Sequence, residues 1–165
     1  MPIIKPIRGS YFLKPMHPSL YRAAVSLECF SCEHFWNETD ISKMMKNSRI
    51  NGWVIASAMT PIGYVVFEKF KAVVQILNLV VHPDHRRKGM GTVLVERVIS
   101  RFTATHNSVT MNVRETNLAA QLFLQNLGFV AEAVDRGHFE DHYAEEVDIE
   151  DAYCFRKKLI SDTQI

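Results

Sequence analysis

The residues with the clearest chemical content lie just after position 81. Three consecutive cations, Arg86, Arg87 and Lys88, run into Gly89, Met90 and Gly91. A basic turn carrying glycines suits a phosphate or pyrophosphate if a helix starts there. The first N–H groups of a helix have no intrahelical acceptor, and the helix dipole favours negative charge at that end. Glycine removes the Cβ that would hold an anion away from the backbone. Two familiar phosphate loops are excluded. The chain has no GxxxxGK[ST] run, and Leu94 stands where a dinucleotide fingerprint needs Gly or Ala.

The flanking segments supply what such a site needs. Residues 76–81 are apolar except for Asn78 and read as a buried strand. From Met90, the residues Val93, Leu94, Val98, Ile99 and Phe102 recur at helical spacing. Upstream, residues 11–13 suit a strand. Pro18-Ser19 reads as a helix start with Ser19 as N-cap, and Leu20, Ala23, Ala24, Leu27 and Phe30 form its apolar face. A short second helix follows Asn37, with Ile41, Met44 and Met45 inward. Residues 53–59 and 64–70 form an antiparallel hairpin whose turn is Thr60-Pro61-Ile62-Gly63, and residues 73–81 are the next strand. Downstream, residues 108–113 are a strand. A helix capped by Thr116 or Asn117 turns Leu118, Leu122 and Leu127 inward, with Phe123 beside them and Gly128 just past its end. Phe129 opens a further strand, and residues 152–159 close the sheet.

Composition sets the outer bounds. With 165 residues, 47% hydrophobic and 22% charged, the chain is expected to be one domain over residues 1–165, ending in a polar tail at 160–165. A net charge of +1 argues against a nucleic-acid partner. The apolar runs fall short of the roughly 18 residues of a membrane span, and the N-terminus lacks a secretory pattern. Three cysteines are an odd number for a disulfide framework, so a reducing, cytoplasmic setting is expected. Cys29 and Cys32 make a CxxC without the second pair that a closed zinc site wants, and His138 with His142 is a weak metal pair, so no metal is expected.

Arg86-x-x-Gly89-x-Gly91 between a strand and a helix resembles the pyrophosphate loop of the GNAT superfamily of acyl-CoA-dependent N-acetyltransferases. Asn117-x-x-Ala120 followed by Leu127-Gly128-Phe129 resembles the NxxAxxLYxxLGF segment of the same families. Glu28 with Trp36, and Glu150-Asp151-Ala152 before the last strand, resemble the ribosomal-protein alanine N-acetyltransferases and the broader N-terminal acetyltransferase group. The resemblance covers about residues 20–159. It implies an α/β fold with a mixed, mostly antiparallel sheet flanked by helices, and a cofactor cleft between splayed central strands. It also implies acetyl-CoA as cosubstrate and an amine acceptor. The amides of Arg87, Lys88, Gly89, Met90, Gly91 and Thr92, with Arg86, would hold the pyrophosphate. Leu79, Val80 and Val81 would pair with the pantetheine arm, the Val81 amide polarising the thioester. Asn117, Ala120 and Phe123 would line the thiol end, and Phe35, Trp36, His138 and Phe139 would wall the acceptor site.

The catalytic positions depart from the resembled pattern. The ribosomal-protein subgroup carries a Glu where this chain has Asn112, and a Tyr where it has Leu124. Asn112 is not a base at neutral pH, though it can hold a water. Glu28, His138 and Tyr143 are titratable alternatives. Without a strong base, an α-amine (reference pKa near ~7.8) is favoured over a lysine amine (~10.4), a difference of roughly 3.5 kcal/mol. The first expectation is therefore a protein or peptide N-terminal amine. Residues 136–151 are rich in acidic and aromatic groups and form an acidic lip, which also suits a polyamine or amino sugar. A reading from another class is a CoA-binding sensor that has lost its chemistry.

Overall fold

The computed structural model describes residues 11–30, 36–143 and 146–159. Seven strands form one sheet in the order β1-β2-β3-β4-β5-β7-β6. They are β1 (Tyr11–Pro15), β2 (Ile50–Ser57), β3 (Thr60–Lys69), β4 (Val73–Val81), β5 (Ser108–Arg114), β6 (Val130–Tyr143) and β7 (Glu146–Lys158). Every neighbouring pair is antiparallel except β4 and β5. A parallel pair needs a crossover, and helix α3 (Met90–Phe102) provides it. The expected mixed, mostly antiparallel sheet is thus present.

Helices cover both faces. On one, α3 and α4 (Leu118–Asn126) pack on a core that includes Phe67, Ile76, Leu94, Val98, Met111 and Phe155. On the other, α1 (Tyr21–Glu28) and α2 (Glu38–Met44) pack with Val54, Tyr64, Val66 and Val80. β3 is central and covered on both sides, so it reads as a continuous apolar run rather than an alternating one.

Three local expectations need correction. The β2–β3 turn is Ala58-Met59, with φ of 44° and 72°, two residues before the Pro-Gly cluster. Thr60, Pro61 and Gly63 lie inside β3, and Pro61 is tolerated because the register slips there, opposite Ile55 and Ala56. Gly63 is needed for packing: a Cβ there would lie 2.8 Å from the Val80 carbonyl oxygen. Ser19 is not a cap; His17 caps a 3-10 turn over Pro18–Leu20 that leads into α1. In α4 the buried residue is Leu124, whereas Leu118 and Leu122 are 64% and 61% exposed. The α2 reading stands: Asn37 caps it in a reciprocal capping box with Asp40, and Ile41 is fully buried.

The feature that positions the site is an irregularity in β4. Val66 pairs with Asn78 but Phe67 pairs with Ile76, so Leu77 is an extra residue. A bulge of this kind bends the strand and reverses which face later side chains point to. Val74 and Ile76 face α3, while Asn78 and Val80 face α1. The ladder between β4 and β5 covers only Val73–Ile76 against Ser108–Met111. Beyond it the two strands splay, and β5 continues alongside β7.

Candidate active site

A groove of about 610 Å³ opens at the splay on the α3–α4 side. Its walls are Leu79, Val80 and Val81 of β4, the turn residues Arg86, Arg87 and Gly89, the first residues of α3 (Met90, Gly91, Thr92), and Asn117, Ala120 and Phe123 of the α4 segment. These are the residues the sequence assigned to the cofactor, with one exception. Lys88 is turned away, its ammonium donating to the Asp84 carbonyl at 2.8 Å. Sequence reasoning missed Phe30, Met111, Leu122 and Leu124 in the same wall. Leu122, expected on the inward face of its helix, is 61% exposed and lines the groove instead.

The basic turn is built for close approach. Arg87 and Gly89 both adopt left-handed backbone, with φ of 59° and 84°. They swing the chain from a 3-10 turn over Pro83–His85 into α3. The first intrahelical bond is Val93 N–H to Gly89 carbonyl, so the amides of Met90, Gly91 and Thr92 are the unpaired donors of the helix start, and all three residues line the groove. Gly91 has a second reason to be glycine: a Cβ there would meet the Phe123 ring at 3.2 Å. The expected role of Arg86 changes. Its Nε donates to the Val81 carbonyl at 2.8 Å and a terminal nitrogen to the Phe30 carbonyl at 2.9 Å. It therefore braces the end of β4 against the end of α1 rather than offering its charge freely. Three free amides, a neighbouring cation and an unpaired strand edge fit a pyrophosphate carrying an amide-rich arm.

The opposite face of the splay is polar. Glu28 is 1% exposed. Its carboxylate accepts from Asn78 Nδ2 at 3.1 Å and from the Trp36 amide at 3.2 Å, and Asn78 also donates to the Tyr64 hydroxyl at 3.1 Å. Burial pushes the Glu28 carboxyl up to about 7, partly offset by the hydrogen bonds from Trp36 and Asn78. Glu28 is thus a structural link between α1 and β4 in a position where it titrates. Trp36 contributes its amide to Glu28 and packs on the α1–α2 core.

Across the splay, Asn112 and Arg114 of β5 face the same side. Asn112 Nδ2 lies 3.4 Å from His138 Nε2, and His138 Nδ1 lies 2.8 Å from Asp135 Oδ2. Arg114 pairs with Glu150 at 3.0 Å, and both side chains are nearly buried. Burial raises the Glu150 carboxyl, but hydrogen bonds from the Thr116 hydroxyl and amide, together with Arg114, outweigh it and hold the group below its ordinary value. Asp151 accepts from the Gly137 amide at 2.8 Å and lies 3.8 Å from Arg136. Two of the acids read as a free lip are therefore committed to the hairpin itself. Phe139, expected as an acceptor wall, is 2% exposed beneath the Arg114 guanidinium at 4.3 Å, so it supports its neighbours instead. Phe35 and Cys32 lie outside the described residues, and Tyr143 is described only in its backbone. Among the described residues no cluster of His, Cys, Asp and Glu could hold a metal ion, and no helix is long and apolar enough to cross a membrane.

A search of curated protein sequences finds no significant match. Solved structures match closely in fold. The ribosomal-protein-S18-alanine N-acetyltransferase from Escherichia coli superposes with a TM-score of 0.78 at 18% identity, over 91% of this chain and 94% of that one. Ard1 from Thermoplasma volcanium gives 0.79 at 20%, over 92% and 99%. Arabidopsis thaliana NAA60, solved with a bisubstrate analogue, gives 0.78 at 15%, over 92% and 99%. The sequence profile of the acetyltransferase (GNAT) family, whose acyl donor is acetyl-CoA, matches residues 17–129, from the start of the α1 segment through both halves of the groove. The chain belongs to the acetyltransferase (GNAT) family.

Proposed function

We propose that this acetyltransferase transfers the acetyl group of acetyl-CoA to the α-amine of a protein or peptide N-terminus. The observation that carries this is the splay itself. It brings a groove suited to the donor on the α3–α4 side and the polar side chains of Asn112 and His138 on the other to one gap in the sheet. The amides of Met90, Gly91 and Thr92, with Arg87, hold the pyrophosphate in this reading. The stretch Leu79–Val81 of β4, which no longer pairs with β5, holds the pantetheine arm, and Asn117, Ala120 and Phe123 border the thiol end. When bound, acetyl-CoA supplies the activated acyl carbon. The protein holds the amine beside it, and effective molarities in well-oriented systems reach roughly 10⁵ M or more.

Two features favour an α-amine. Among the described residues, this side of the splay holds no buried carboxylate free to strip a proton from a lysine, because both oxygens of Glu28 are already bonded. Two of the lip acids that would attract a polyamine, Glu150 and Asp151, are taken by Arg114 and by Gly137 with Arg136. N-terminal acetyltransferases among the similar folds agree in kind. The test is mass spectrometry of acetyl-CoA reactions with peptides that carry a free α-amine, a free lysine, or both. Acetylation confined to the α-amine is expected; preferential modification of the lysine or of spermidine would overturn the assignment.

A further inference from the structure

We propose that His138, held by Asp135, is the base that removes the proton from the acceptor ammonium, a role that rests on the amine-acetylation reading above.

The backbone is shaped to present this side chain. Asp135 pairs with Ala152 and Phe139 with Glu150, so three residues of β6 stand opposite the single residue Asp151 of β7. Gly137 makes the protrusion possible with a φ of 63°, and the Asp151 carboxylate anchors it through the Gly137 amide. Irregularities of this sort re-aim side chains, and they recur beside active sites. Here the side chain re-aimed is His138, which reaches across β7 to Asn112. Asn112 follows Met111, the last residue of β5 that pairs with β4, so the imidazole stands at the mouth of the splay.

The imidazole is oriented for base chemistry. Its Nδ1–H donates to the Asp135 carboxylate at 2.8 Å, which leaves the lone pair on Nε2. Nε2 accepts a long, 3.4 Å contact from Asn112 Nδ2. The Phe139 ring meets the imidazole edge-on at 4.7 Å, yet the His138 side chain remains 30% exposed, so it is both fixed and reachable. The position that carries Glu in the resembled pattern now makes sense as Asn. A carboxylate at 112 would face the ring as an acceptor and call for a proton on Nε2, whereas an amide N–H matches the Nδ1–H tautomer and gives way to the incoming ammonium across a contact of only 3.4 Å.

The other charged or titratable neighbours do not compete. Cys154 of β7, cross-strand from Asn112, is pushed up by burial and by the Asp135 charge and stays a neutral thiol. Arg114 of β5 is matched by Glu150, and Arg136 by Asp151. The Asp135 carboxylate is left to His138, and together they present a hydrogen-bonded acceptor pair to an ammonium. Glu28 is the poorer candidate because it is 1% exposed, whereas the His138 side chain is reachable.

The step balances as follows. His138 Nε2 takes one proton from the –NH₃⁺ group and becomes an imidazolium. The freed lone pair forms the N–C bond as the C–S bond breaks. The second proton lost by nitrogen goes to the departing thiolate, and the imidazolium returns its proton to solvent.

The test combines steady-state kinetics from about pH 6 to about pH 9, using acetyl-CoA and a panel of free-amine peptides, with long-range ¹H–¹⁵N spectra of the histidine ring. His138→Gln is expected to lower kcat at neutral pH by about 10²-fold or more, with the deficit shrinking as the amine deprotonates by itself. The KM for acetyl-CoA stays unchanged, and added imidazole restores part of the activity of His138→Ala. Asp135 is a positioning residue: Asp135→Asn should cost about tenfold in kcat and abolish the Nδ1–H tautomer seen in the wild-type spectrum. A His138→Gln rate within about threefold of wild type with an unchanged pH profile overturns the proposal. So does a wild-type ring protonated on Nε2. If the wild type acetylates no peptide, the α-amine reading falls by itself, and the ring spectra of wild type and Asp135→Asn still decide for or against the oriented dyad.

Discussion

Replacing Glu28 by Gln should change how the stability of this protein depends on pH. The carboxyl is 1% exposed and its pKa is moved from an ordinary 4.5 to about 7, chiefly by burial. A raised carboxyl pKa means that the folded state binds the proton more tightly than the unfolded chain. Its contribution is therefore fully present below the unfolded value of 4.5 and is lost as pH rises through about 7. At about 1.4 kcal/mol per pH unit, the full linkage is about 3 kcal/mol, most of which falls between pH 5 and pH 8. Gln cannot titrate. It can still accept from Asn78, but its amide nitrogen then faces the Trp36 N–H, at a cost of about 1–2 kcal/mol at every pH. Urea unfolding of both proteins at pH 5 and pH 8 should thus show the wild type clearly more stable at pH 5. By pH 8 the difference should vanish or invert. Glu150, whose pKa is lowered, titrates below this window and leaves the comparison undisturbed. A difference that stays constant to within about 0.5 kcal/mol across the range would refute the linkage and with it the buried, titrating Glu28.

Other perturbations test the groove and the hairpin. Gly91→Val should destabilise by about 1–3 kcal/mol by overpacking the Phe123 ring, and much of that loss should be absent in a Phe123→Ala background, as a double-mutant cycle of urea midpoints would show. Gly89→Glu, which puts a side chain on left-handed backbone and a carboxylate beside the free amides, should abolish the thermal stabilisation by acetyl-CoA; in the wild type this is about 2.7 kcal/mol at ~100 times Kd. Arg86→Ala removes two hydrogen bonds that tie β4 to α1 and should cost about 1–2 kcal/mol even without ligand, measured by chemical denaturation. Glu150→Gln should lower the unfolding midpoint at neutral pH, and the gap should close on acidification, because a depressed carboxyl loses its contribution as pH falls through the folded pKa.

Much of the donor side was legible because its signals are local. A strand, a basic glycine turn and a helix start are consecutive in the chain, and the positive φ of Gly89 and the free amides of α3 follow from adjacent residues. The acceptor side was legible only as a set of candidates. Glu28 was visible as a titratable residue, but its bond to Asn78 joins positions 50 apart. His138 was visible too, but its reach to Asn112 depends on strands that are neighbours only through β7. The misplaced β2–β3 turn has a different cause: Ala58 and Met59 carry no turn signature, while Pro61 and Gly63 do and are absorbed by a register slip. The inverted face of α4 arose because a groove, like a core, is lined by leucines.

The order and type of elements, the basic glycine turn and the absence of the expected Glu and Tyr were determined by the sequence alone, since each depends on residue identity and short-range spacing. What the tertiary structure decided is where β4 leaves β5, which face Asn78 and Asn112 present, that Arg86 braces rather than binds, and that a protrusion in β6 carries His138 to the mouth of the splay. These depend on strand register and on contacts between distant segments. A single extra residue such as Leu77 reverses every face that follows it, and only the assembled sheet shows where that residue sits.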